Sequence, residues 1–144
     1  MKTNTQKGKE FQISARNALV KMLGVQFEME VKIPIGSPHP KPHTFDLASL
    51  DREYVGEAKA FTWTGSGNIP SAKISTLREA VSYLHQLPTE TRKFIVMKHD
   101  QNPKNGETLA DYFARLNDHL LGQVAIFELS EEGMTLKTIR RGWL

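Results

Sequence analysis

The chain contains no cysteine. Thiol catalysis, disulfide scaffolds, iron–sulfur clusters and cysteine-based zinc fingers are excluded together. No apolar run approaches the ~18 residues that a membrane-crossing helix needs. The first residues, Met1-Lys2-Thr3-Asn4-Thr5-Gln6, lack the apolar core of a secretion signal, so neither a membrane span nor export is expected and the expected location is cytoplasmic. Charge of one sign is also scarce. Nineteen basic against sixteen acidic residues give a net charge of +3, which permits a polyanionic partner without demonstrating one. The five histidines (His39, His43, His85, His99, His119) show neither an H-E-x-x-H motif nor paired zinc-ligand spacing. No repeat, low-complexity tract or linker divides the 144 residues. Residues 1–144 therefore read as one domain, long enough to bury roughly 70% of the surface that its unfolded form exposes.

Hydrophobic periodicity then orders the chain. Phe11, Ala15, Ala18, Leu19, Met22 and Leu23 share one face of a helix expected over residues 7–23, which Gly24 ends. From Val25 to Ile35 apolar residues alternate with Gln26, Glu28, Glu30 and Lys32, the pattern of a half-buried strand. Three prolines make residues 36–43 a loop. Strands are expected over 44–49 and 54–61, and a polar, glycine-rich connection over 63–69. A helix from Ser71, with the stripe Ile74, Leu77, Val81 and Leu84, stops before Pro88. Phe94-Ile95-Val96-Met97 reads as a central strand covered on both faces. A third helix is expected over 108–121, with Leu109, Tyr112, Phe113, Leu116 and Leu120 inward, followed by strands 124–129 and 134–139. The order αβββαβαββ implies an α/β fold with a mixed sheet and helices on its faces.

Chemistry concentrates in Phe45-Asp46 and Gly56-Glu57-Ala58-Lys59. A hairpin centred on Asp51-Arg52 sets Asp46 opposite Glu57, with Cβ atoms roughly 4.5–5.5 Å apart. Alternation puts Lys59 on the same face. Two facing carboxylates repel, and a hard divalent cation removes that conflict. Mg²⁺ takes one or two carboxylates together with other oxygens, and the Ala58 carbonyl is a further candidate ligand. Lys59 beside the ion can orient or help deprotonate a water while the cation stabilises charge on a phosphate. The bland alternative is an exposed hairpin with a Lys59 ion pair. Tyr54, Val55, Ala58, Ala60 and Phe61 argue against it, because charges in such an apolar strand pair are rarely idle.

At these residues the chain resembles the PD-(D/E)xK nuclease superfamily, read here as Asp46…Glu57-Ala58-Lys59. The similarity covers roughly residues 8–98, a leading helix, a three-stranded meander, a helix and a further strand. It implies the three-layer restriction-endonuclease-like fold and a Mg²⁺-dependent DNA phosphodiesterase, with Mn²⁺ as a substitute. Asp46 and Glu57 would be metal ligands and Lys59 would stand at the attacking water. Two positions depart from the family pattern. Phe45 replaces the motif's proline, and Gly8-Lys9-Glu10-Phe11-Gln12 puts Gln12 where many members carry a helix acid. Gln12 can hydrogen-bond a water beside the ion without adding charge, and Glu10 is the alternative contributor. The rival expectation is a catalytically inactive nucleic-acid- or protein-binding module on the same fold.

Nucleic-acid contacts are expected from Lys73 and Arg78 on the second helix, Asn68 in the glycine-rich connection and Lys41 in the proline-rich loop beside His39 and His43. Lys98-His99-Asp100 closes the central strand, a place where α/β sites often form. Arg140-Arg141 near Trp143 reads either as a backbone contact or as a solvated tail. Helices and strands use up the chain length, leaving no room for a separate targeting domain. Duplex cutting or junction resolution would then favour a homodimer.

Overall fold

A computed structural model describes all residues, Met1–Leu144. The first helix, α1 (Asn4–Leu23), starts earlier than the apolar stripe suggests, because Thr3 and Gln6 form a reciprocal capping box. Gly24, at φ 71°, closes it. Its buried face is Gln12, Ala15, Ala18 and Leu19, while Met22, expected inside, is 39% exposed. Three antiparallel strands follow: β1 (Phe27–Ile35), β2 (Lys41–Ser49) and β3 (Tyr54–Lys59). β2 begins inside the proline-rich segment, where Lys41 and Pro42 pair with Ile35 and Pro34. Helix α2 (Ser71–His85) carries the chain to β4 (Arg92–Lys98), parallel to β3. Helix α3 (Leu109–Leu121) leads to β5 (Ala125–Leu129), parallel to β4, and β6 (Leu136–Arg140) returns antiparallel.

The single six-stranded mixed sheet therefore runs β1 to β6 in sequence order. Helix α1 packs on one face over Ala58, Phe94, Val96 and Phe127. Helices α2 and α3 pack on the other, over Val55, Ile95, Met97 and Ile126. The expected element order and three-layer α/β arrangement hold.

Two details of the core differ from expectation. On α3, Leu116 and Leu120 are 42% and 47% exposed, while Ala110, Ala114, Asn117 and Leu121 turn inward. Leu109, Phe113, Asn117 and Leu121 follow one another at four-residue steps beside Ala110 and Ala114, so the buried stripe is centred to one side of Leu116 and Leu120. The backbone departs from helical geometry at Asn117 (φ −114°, ψ 15°). On β1 and β2 the buried face changes sides partway along. Phe27 and Leu47 join the α1 face, but Val31 and Phe45 join the α2/α3 face. Residues two apart on a regular strand share a face, so the strands must turn between them. The pairing runs Met29↔Leu47 and then Val31↔Phe45, with no pair at Glu30 and Asp46. Glu30 has a positive φ of 56°. The kink thus falls on the step that carries Asp46.

Candidate active site

The register between β2 and β3 follows the hairpin expected from sequence, with Leu47↔Gly56 and Ala48↔Val55 paired. Pairing stops there. At the next step, where Asp46 faces Glu57, the strands part and their carboxylates take over from the ladder. The Asp46 amide donates to Glu57 Oε2 at 3.1 Å, and the Ala58 amide donates to Asp46 Oδ2 at 2.9 Å. Each acid therefore satisfies a backbone N–H that the interrupted sheet leaves without a carbonyl partner. Lys59 completes the group, with Nζ 3.2 Å from Asp46 Oδ2 and a side chain 26% exposed.

Glu57 is 3% exposed. Burial, together with the Asp46 carboxylate beside it, raises its pKa to about 9, with Lys59 pulling in the opposite direction. Behind it, His43 Nε2 lies 3.6 Å from Glu57 Oε1. The imidazole is stacked on Tyr83 of α2 at 3.9 Å and set edge-on to Phe45. Burial lowers the His43 pKa, so the ring stays neutral near pH 7. His43 therefore backs the acid pair and does not belong to a nucleic-acid-contacting loop.

Asp46, Ala58 and Lys59 line a cleft of about 1100 Å³. It opens beyond the carboxyl ends of β3 and β4, the usual place for a ligand in an open α/β sheet. Glu57 lies just beneath the floor. Helix α1 forms the opposite wall with Lys7, Glu10 and Gln12. Gln12 is 8% exposed and its buried Oε1 has no hydrogen-bond partner. An unpaired buried amide oxygen costs roughly 1–3 kcal/mol, so Gln12 is held ready for a partner from the cleft. Glu10 lies on the same wall but is paired with Lys2 at 2.8 Å and about half exposed.

Lys73 also reaches the cleft, its ammonium 5.0 Å from the centre of the Phe61 ring. The remaining expected nucleic-acid contacts are placed elsewhere. Arg78 donates from Nε to Asn117 Oδ1 at 2.8 Å, tying α2 to α3 at the helix break. Lys41 sits at the far end of β2, exposed. Asn68 is held outside the cleft by Thr64, Ser66 and Lys104. Its loop is anchored rather than free: the Trp63 amide donates to Asp100 Oδ2 at 2.8 Å, and Asn102 Nδ2 donates to the Gly67 carbonyl. Trp143 packs on Tyr54 and Phe127 and donates to the Lys93 carbonyl, so the C-terminal segment is docked on the α1 side of the sheet. Lys98, His99 and Asp100, at the end of β4 as the sequence suggested, line the cleft too. Lys7, a further cation on the wall, was missed, because an isolated lysine on a helix carries no distinguishing signal.

Comparison with protein-family models, with curated proteins and with solved structures returned no match. Identification therefore rests on the residues themselves. No group of three or more carboxylates and imidazoles is arranged to hold a metal. The oxygen donors are the Asp46 carboxylate and the Ala58 carbonyl at the floor, Glu57 just beneath it and the Gln12 amide on the α1 wall. That set fits Mg²⁺, which accepts one or two carboxylates and fills its remaining positions with neutral oxygens. Zn²⁺ also accepts carboxylates but is held mostly by imidazole or thiolate, and neither stands among these donors.

Proposed function

We propose that the chain is a Mg²⁺-dependent endonuclease of the restriction-endonuclease-like type, hydrolysing DNA phosphodiester bonds. The observation that carries this reading is the Asp46–Glu57–Lys59 group, built at an interruption of the sheet and facing a cleft large enough for a nucleic-acid strand. Burying a carboxylate costs several kcal/mol without a compensating partner. Setting a second one beside it adds repulsion when both are ionised, so without metal Glu57 keeps a proton. A cation would let both carboxylates ionise side by side.

Asp46 and the Ala58 carbonyl would hold Mg²⁺ or Mn²⁺ from the floor. Glu57 would join by giving up its hydrogen bond to the Asp46 amide, and Gln12 would support from the α1 wall. When bound, the ion supplies charge neutralisation at a phosphate and activation of water at neutral pH. Lys59, already on Asp46, orients the attacking water and shares the developing negative charge. Lys73, Lys7 and Lys98 hold the strand by its phosphates. Cutting both strands of a duplex takes two such sites, which a homodimer would present.

The second reading, a binding module without catalysis, is favoured by one residue: Gln12 stands where an acid would strengthen the metal site. Crystals soaked in Mn²⁺ test the metal directly. Anomalous density between Asp46 and Glu57 is expected, and it should vanish in Asp46→Ala. A well-ordered soaked crystal without such density removes the metal-dependent reading and leaves the binding module.

A further inference from the structure

A second buried acid lies outside the group above. β5 reads Ala125-Ile126-Phe127-Glu128-Leu129 and is buried along its whole length. Glu128 is 4% exposed in this otherwise apolar strand. Its Oε1 contacts His99 Nδ1 at 2.8 Å, and its Oε2 has no partner at all. A carboxylate in a central strand contributes nothing to packing, and one left half-satisfied costs stability. Its one hydrogen bond fixes the imidazole: Nδ1 carries the hydrogen directed at Glu128, and Nε2 is turned outward. His99 follows the end of β4, its amide donating to the Leu129 carbonyl, and it lines the same cleft as Asp46 and Lys59.

Resting on the nuclease reading for the identity of the ligand, we propose that His99, oriented by Glu128, is a further substrate-contacting residue that donates its Nε2–H to a phosphate oxygen of the strand in the cleft. The surroundings favour the charged ring. The hydrogen bond to Glu128 raises its pKa most, burial opposes it, and the charges of Glu128, Glu131 and Asp100 add to the rise. Glu131, 3.6 Å from Nε2, is 79% exposed and swings aside at little cost. The other charged groups around the ring are Glu132 on the β5–β6 turn, Lys137 on β6, Lys98 on its own strand and, across β4, Lys59. The carboxylates outnumber the lysines nearest to the ring, which suits a residue that must hold a proton more than one that only supplies field. Glu128 is the positioning residue and His99 the contact.

The test is anisotropy of a short labelled DNA duplex in chelator, followed from about pH 6 to about pH 8, beside NMR of the His99 ring. Wild-type affinity should fall as the pH passes the midpoint of His99, and the ring resonance should move when duplex is added. Glu128→Gln should shift both the NMR midpoint and the binding midpoint to lower pH. His99→Ala should bind about tenfold more weakly at the acidic end, the loss expected for one charged hydrogen bond, with a flat pH profile. In a purely structural dyad Glu128→Gln would still lower the NMR midpoint, but the binding midpoint would not move. An unchanged pH profile in His99→Ala, or a His99 resonance indifferent to duplex, overturns the proposal. Mg²⁺-dependent cleavage is scored separately. Its absence alongside His99-linked binding would count against the nuclease reading alone, and cleavage with His99-independent binding against this inference alone.

Discussion

At the scale of single residues, Glu57 has the clearest physical signature. Its pKa, raised from 4.5 to about 9, means that the folded chain keeps a proton which the unfolded chain releases. Between those values the native state binds more protons than the unfolded state, so stability falls as pH rises. The contribution is fully present below about pH 4.5 and is lost as pH climbs through the folded value. Glu57→Gln, neutral at every pH, should remove this slope. In denaturant titrations without metal, its stability relative to wild type should improve steadily from about pH 5 to about pH 8. Parallel curves for the two proteins would show that Glu57 is not held protonated. Mg²⁺ should flatten the wild-type slope, because a cation takes the carboxylate form and releases the proton.

Gln12 allows the complementary experiment. Its Oε1 is buried and unpaired, and the residue lines the same cleft, so Gln12→Glu adds a third acid. The metal-free variant should be less stable than wild type through repulsion and desolvation. Its Tm should rise further on adding Mg²⁺ than the wild-type Tm does, since any ligand binding only the native state stabilises in proportion to its affinity. Equal Mg²⁺ responses would place Gln12 outside the ion's reach.

Among elements, β3 is held by contacts that tolerate little change. A Cβ added at Gly56 would collide with the Phe94 carbonyl oxygen and ring on β4. Gly56→Ala should cost about 1–3 kcal/mol by overpacking, read as a lowered denaturation midpoint. A midpoint within error of wild type would mean that β3 and β4 are less closely apposed than described. The two helical cations expected to touch nucleic acid should now behave differently. Arg78→Ala unpairs Asn117, which is 2% exposed, and should lose stability by about 1–3 kcal/mol with little effect on DNA affinity. Lys73→Ala should keep its stability and bind DNA more weakly, with a shallower dependence on salt. Anisotropy at two salt concentrations with a melt on each variant checks both, and a reversal of the two behaviours would contradict the placement of α2.

Much of the architecture was legible in the sequence because it is local. Alternation, helix stripes and glycine stops fixed the order of nine elements, and the hairpin centre gave the β2–β3 register. What stayed hidden depends on distant partners or local irregularities. On α3 two overlapping stripes fit the spacing, and the one through Ala110, Ala114, Asn117 and Leu121 is buried while Leu116 and Leu120 stay exposed. The acids do not simply face each other across a regular ladder. Each reaches a backbone amide of the opposite strand where the β2–β3 ladder stops, and the β1–β2 ladder skips the same step at Glu30. Glu128 was the missed signal: one acid in an apolar pentapeptide is visible in the sequence, but its meaning requires His99, 29 residues away.

At the scale of the whole molecule, one face of the sheet carries α1 and the other carries α2 and α3, and the cleft opens where β3 and β4 end. Two acid-centred groups border it: Asp46–Glu57–Lys59, and Glu128–His99. No helix is long and apolar enough to cross a membrane. All of the destabilising polar burial described above, at Gln12, Glu57 and Glu128, converges on this one edge. That convergence is what the proposed function draws on.

The most direct measurement is cleavage of supercoiled plasmid and of branched DNA by wild type, Asp46→Ala and Lys59→Ala, each with Mg²⁺, with Mn²⁺ and with chelator. The account predicts nicked or linear products from wild type with either metal, none with chelator, and loss of at least about a hundredfold in rate for both variants. Binding without metal-dependent cleavage, or cleavage unchanged in both variants, would contradict it.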